Sequence, residues 1–120
     1  CIRTFIPMLS TMRVSKENMR AAAAKGFINA TDCADYLVKN GLPFRDAYKI
    51  TGTLVAMCIE RGTTLEELPL EEYKKLCGTF DGDVYEAIKL ENCVNMRKVP
   101  GGPAPKEVRS QIAFIRQTIG

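Results

Sequence analysis

Asp32 and Asp35 stand three residues apart in Ala30-Thr31-Asp32-Cys33-Ala34-Asp35, so a helix through this stretch puts both carboxylates on one face. Carboxylates paired in this way suit a shared cation, or an acid and a base working on one substrate. No other ligand type lies nearby, and the chain has no histidine at all. That excludes His-based triads, imidazole metal sites and imidazole proton transfer within these residues. The plainer role is local: Thr31 or Asn29 caps a helix, and the acids that follow suit the positive end of its dipole.

A second group is Arg97 and Lys98 with Gly101-Gly102, which has the makings of an anion-binding loop at the mouth of the last helix. It lacks the glycine spacing of a phosphate loop, and no strand precedes it. Arg45 with Lys49, and Arg109 with Arg116, read as solvated helix faces. Met8, Met12 and Met19, near helical spacing, read as packing residues. A nucleophile, a base and oxyanion donors do not assemble from this set. No residue is therefore assigned as catalytic, cofactor-binding or metal-binding, and no cofactor is expected.

The elements that position these residues are helical nearly throughout, and no strand or internal repeat is evident. Residues 2–12 read as the end of a helix, with Pro7 as a kink or start. Ser15 caps the run KENMRAAAAK, which Gly26 stops. The next helix runs through Lys39 to Gly41, with Ala30, Ala34, Leu37 and Val38 facing inward. Pro43 opens the longest helix, which Gly62 ends. Its stripe is Phe44, Ala47, Tyr48, Thr51, Leu54, Val55 and Cys58, and Gly52 within it implies close packing against another helix. Short helices follow at TLEEL (from Thr64), LEEYKKLC (closed by Gly78), DVYEAI and 90–96. After the loop 97–105, Pro105 opens a last helix whose buried stripe is Val108, Ile112, Ile115 and Ile119. The expected fold is all-α: a small bundle of six to eight short helices, in antiparallel pairs stacked across one another.

Composition agrees with a single soluble domain: 120 residues, 46% hydrophobic and 26% charged. A net charge of +3, with acids spread through every helix, is too mild for a nucleic-acid footprint. No apolar run approaches the roughly 18 residues of a membrane span. The five cysteines (1, 33, 58, 77 and 93) include no C-x-x-C and read as reduced thiols of a cytoplasmic protein. The start at Cys1, without Met, reads as a fragment or an excised domain.

Five stretches carry a resemblance: MRAAAAKGFINATDCADYLVKNGLPFRDAY (19–48), TLEELPLEEY (64–73), FDGDVYEAI (80–88), LENCV (90–94) and RKVPGGPAPKEVRSQI (97–112). They span nearly the whole chain in order, and the chain resembles the C-terminal domain of the argininosuccinate lyase family, in the fumarase/aspartase superfamily. Tyr48 stands where members often have His, and Pro103 where they commonly have a Thr cap. The resemblance implies two helix-turn-helix pairs packed crosswise. It implies that residues 1–12 end a long central-bundle helix and that 13–120 form the terminal domain. It also implies a parent reaction, the β-elimination of argininosuccinate to arginine and fumarate in arginine biosynthesis. The partners implied are the rest of the lyase chain in a homotetramer and the small-molecule substrate, with no nucleic acid and no membrane. The family's signature serine loop and catalytic histidines are not in these residues, so the fragment is expected to be inactive alone and to help cap the active-site region. The rival expectation is a free-standing helical interaction or DNA-binding module.

Overall fold

The computed structural model describes residues 2–120, so Cys1, with its thiol and its place in the bundle-helix expectation, lies outside the described residues. These residues form eight helices and no strand: α1 (Ile2–Thr11), α2 (Lys16–Ala24), α3 (Ala30–Lys39), α4 (Phe44–Arg61), α5 (Leu70–Leu76), α6 (Val84–Ala87), α7 (Leu90–Asn95) and α8 (Pro105–Ile119). The all-α expectation is met.

The centre is the α3–α4 pair, joined by the turn at Gly41-Leu42-Pro43. Cys33, Ala34 and Leu37 of α3 meet Ala47, Leu54 and Cys58 of α4, all essentially solvent-free. Helix α4 stops where Gly62 turns left-handed (φ 63°). There the Thr63 amide donates to the Cys58 carbonyl at 3.0 Å and the Gly62 amide to the Ile59 carbonyl at 3.3 Å. This closure uses the carbonyls a helix end leaves open, in a conformation only glycine adopts at no steric cost. The chain then runs under the pair. Leu65, Leu68, Tyr73, Phe80, Val84 and Ile88 complete the core. Phe80 stacks on Tyr36 at 6.0 Å, and Tyr73 meets Phe80 edge-on at 5.0 Å. The buried Tyr73 hydroxyl donates to the Leu65 carbonyl at 2.6 Å.

Several expectations change. TLEEL is a turn rather than a helix, stitched by the Leu68 amide to the Thr64 carbonyl at 3.1 Å. Pro69 follows at once and pushes the residue before it out of helical geometry. Val38 is exposed, and the inward face of α3 is Cys33, Ala34, Tyr36 and Leu37. Phe44 and Tyr48 are also exposed. A Cβ at Gly52 meets nothing within 4 Å, so no close neighbour explains it within this chain.

The largest difference is at the ends. Helices α1, α2 and α8 bury no residue. The stripe Val108, Ile112, Ile115 and Ile119 lies open, and so do Met8, Met12 and Met19. The radius of gyration is 18.7 Å and the extents are 56 × 30 × 23 Å, against about 14 Å for a compact chain of this length. Amphipathic periodicity marks which face of a helix is apolar, and here no element among the described residues covers it.

Truncation at the two kinds of apolar position should therefore differ. Leu54→Ala should lower unfolding stability by about 2–5 kcal/mol. Ile115→Ala should change it by less than about 0.5 kcal/mol. Urea titration followed by circular dichroism measures both, and a comparable loss at Ile115 would contradict the open position of α8.

Candidate functional site

The structure gathers most of the sequence candidates into one cleft between α3 and the α6–α7 segment. It holds about 630 Å³ and is lined by Asp32, Asp35, Lys39, Glu86, Arg97 and Lys98, among others. Asp32 sits in the first turn of α3, as expected of an acid at a helix start. Thr31 is inside the helix, and Asn29 holds the capping position without a side-chain cap bond. The Asn29 amide turns inward instead, donating to the Ile88 carbonyl at 3.0 Å and to Glu66 Oε1 at 3.4 Å.

Asp32 and Asp35 do not act as a free pair. Arg97 grips Asp32 with both arms of its guanidinium, Nη1 to Oδ1 at 3.1 Å and Nη2 to Oδ2 at 3.2 Å. Both carboxylate oxygens are thereby engaged, and the Asp32 side chain is only 12% exposed. Arg97 also donates to the Cys93 carbonyl at the end of α7. Its hydrogen bonds to Asp32 push its pKa up. The anion-loop expectation therefore loses its principal cation, because Arg97 already holds an anion of this chain. Gly102 has a steric task instead: a Cβ there would lie 2.5 Å from the Arg97 carbonyl and 2.8 Å from that of Val99. Arg45, Lys49, Arg109 and Arg116 are exposed, as solvated faces should be.

Tyr36 closes the inner wall of the cleft. Its hydroxyl donates to Asp83 and accepts the Asp81 amide at 3.3 Å, which ties the 80–83 turn to α3. Burial raises its pKa, and the bond to Asp83 adds to the rise. The four cysteines described are free, and three are buried. Burial pushes the Cys33 thiol up to about 11. It pushes Cys93 up to about 12, with the neighbouring Asp32 carboxylate adding to the shift. These are inert, packed thiols.

Sequence reasoning missed the inward turn of Asn29, the Tyr36–Asp83 tie and a second concavity. An apolar groove of about 620 Å³ runs between α3 and α4, lined by Phe27, Ala34, Phe44, Tyr48, Val55 and Ile59. Gly52 also lies in it. Thr51, beside the Cys33 thiol beneath, keeps a buried hydroxyl with no hydrogen-bond partner of ordinary geometry among the described residues. The exposed aromatics on α4 were the available signal for this groove, hidden because they fall on a stripe of core-like spacing.

This architecture defines a class: a helical domain with a closed centre, a charge-balanced cleft and apolar helices turned outward. A family profile described as "Argininosuccinate lyase C-terminal" matches residues 27–95. The argininosuccinate lyase of Desulforamulus reducens is 50% identical over 119 residues, covering 99% of this chain and 26% of the relative. That of Clostridium beijerinckii is 49% identical over 118 residues, covering 98% and 26%. A solved EDDS lyase variant with bound fumarate superposes with a TM-score of 0.76 at 28% identity, over 86% of this chain and 22% of that one. The chain belongs to the argininosuccinate lyase C-terminal family, and it spans about a quarter of the length of the curated relatives it matches. This membership does not favour a free-standing DNA-binding module.

The raised thiols set the direction of a pH effect. Free thiols ionise near 9.0, while Cys33 and Cys93 in the fold ionise at about 11 and 12. A folded pKa above the unfolded one contributes stability that is whole below pH ~9 and is lost as pH rises through the folded values. The urea midpoint should therefore fall between about pH 9 and pH 11, and less so in Cys33→Ala measured against its own neutral-pH midpoint. A midpoint level across that range would contradict the burial of these thiols.

Proposed function

We propose that this chain is the C-terminal domain of an argininosuccinate-cleaving lyase, whose β-elimination yields arginine and fumarate in arginine biosynthesis. In this reading residues 1–12 end a helix of the central bundle and 13–120 form the domain. Bond breaking belongs to groups elsewhere in the parent enzyme, a cytoplasmic homotetramer, and the domain helps cap the active-site region. The observation that supports this most is the pairing of near-complete coverage by lyase relatives with three helices that bury nothing in this chain. Faces of that kind fit contact with the remaining three-quarters of such an enzyme. The apolar α3–α4 groove with open space above Gly52 fits the same role.

Fumarate release from argininosuccinate should be undetectable with the isolated chain and ordinary in the intact parent enzyme. Turnover by the isolated chain near the intact rate would defeat the reading.

Gly52 supplies a second test. In the isolated chain a Cβ at position 52 meets nothing within 4 Å, and a better helix former there, as in Gly52→Leu, should add up to about 1 kcal/mol of stability. In the parent enzyme the same change should impair assembly, read by light scattering, or activity. If the parent enzyme is indifferent to it, no helix packs over this groove.

A further inference from the structure

We infer that the Asp32–Arg97 ion pair is a clasp that sets the direction in which α8 leaves the domain, making both residues positioning residues for that helix. The argument begins with what α8 lacks. It buries no residue, and its two side-chain hydrogen bonds, Ser110 to the Lys106 carbonyl and Thr118 to the Phe114 carbonyl, stay within it. Among the described residues, no side chain from 98 to 120 makes a hydrogen bond or ion pair with anything earlier in the chain. Arg97 is therefore the last side chain tied back to the core, and its tie is two-pronged. The bidentate pair reaches α3, 65 residues earlier, and the bond to the Cys93 carbonyl reaches the end of α7. A planar guanidinium held on both arms has its orientation fixed, which a single-point ammonium contact does not achieve.

That orientation passes to α8 through the backbone. The Gly102 amide donates to the Val99 carbonyl at 2.8 Å and folds the strap 99–102 back on itself. Its Cα then sits so close to the Arg97 and Val99 carbonyls that no side chain fits. Ala104, 3% exposed, is the last buried residue before the helix, and its carbonyl accepts the Val108 amide, four residues on, at 3.0 Å. The sequence of contacts is Asp32, Arg97, Gly102, Ala104, α8. Release of the first link leaves the strap, with two glycines and two prolines between residues 99 and 104, held by the burial of Gly102 and Ala104 and by no side-chain tie to α3.

The test is amide hydrogen exchange on the full 120-residue chain, with Asp32→Asn, Arg97→Gln and the double variant. Each single change should speed exchange at Gly102 and Val108 by about five- to tenfold, as local opening of a partly exposed pair predicts. Amides of Leu54, Cys58 and Ile88 should stay at the wild-type rate. The double variant should be no faster than Arg97→Gln, because the pair with Asp32 is already gone there. Raising the salt to about 1 M should speed exchange at Gly102 in the wild type and not in the variants. Arg97→Lys, which keeps the charge and loses the fork, should fall between wild type and Arg97→Gln. Unchanged exchange at Gly102 in the single variants, strictly additive effects, or equal acceleration at the core amides would overturn the clasp.

Discussion

The structure depends on the closure of α3 against α4. Leu37 and Cys33 on one helix, and Leu54, Ala47 and Cys58 on the other, leave no solvent between them. The segments from Leu65 to Ile88 find their places by what remains uncovered on that pair. The turn at 65–68 lays Leu65 and Leu68 beneath it, and α5 brings Tyr73 against Phe80. Tyr36 reaches from α3 to the 80–83 turn. Tyr36 and Tyr73 are buried with their hydroxyls satisfied by a carboxylate and a carbonyl, the condition under which a tyrosine stabilises a core rather than burdening it. The Asn29 amide does the same for the Ile88 carbonyl, linking the start of α3 to the end of α6.

From this centre follows a division between covered and uncovered apolar surface. The middle of the chain is self-sufficient, and the profile match of residues 27–95 coincides with it. None of the residues of the flanking helices is buried, though α1 and α8 carry apolar residues at helical spacing. Under the function proposed above, such stripes would face the rest of the parent enzyme. Gly52 fits the same proposal. A glycine in the middle of a long helix costs about 1 kcal/mol against alanine, and no contact inside the chain offsets it.

The cleft shows how charged candidates settle into structural roles. Asp32 has the position of a helix-start acid, but its burial and its two bonds come from Arg97. Arg97 looked like the cation of an anion loop, and its anion turned out to be internal. Each reading from local sequence was half right, since residue type announces charge and not partner. The separation of 65 residues between the two places that pairing beyond any local pattern.

The order of helices, their stops at Gly41 and Gly62, the all-α class and the family were legible in the chain itself. Capping, periodicity and motif spacing act over a few residues, and the stretches carrying the resemblance are contiguous. The apolar stripe of α8 was legible as a stripe, and its burial was not. Whether a stripe is covered depends on total shape, on what else reaches it and on where the chain's own core is already complete. The same holds for the Tyr36–Asp83 tie, the inward Asn29, the clasp on Asp32 and the empty space over Gly52. These are contacts, or missing contacts, between distant segments, and only the folded arrangement of α3, α4 and the 97–104 strap decides them.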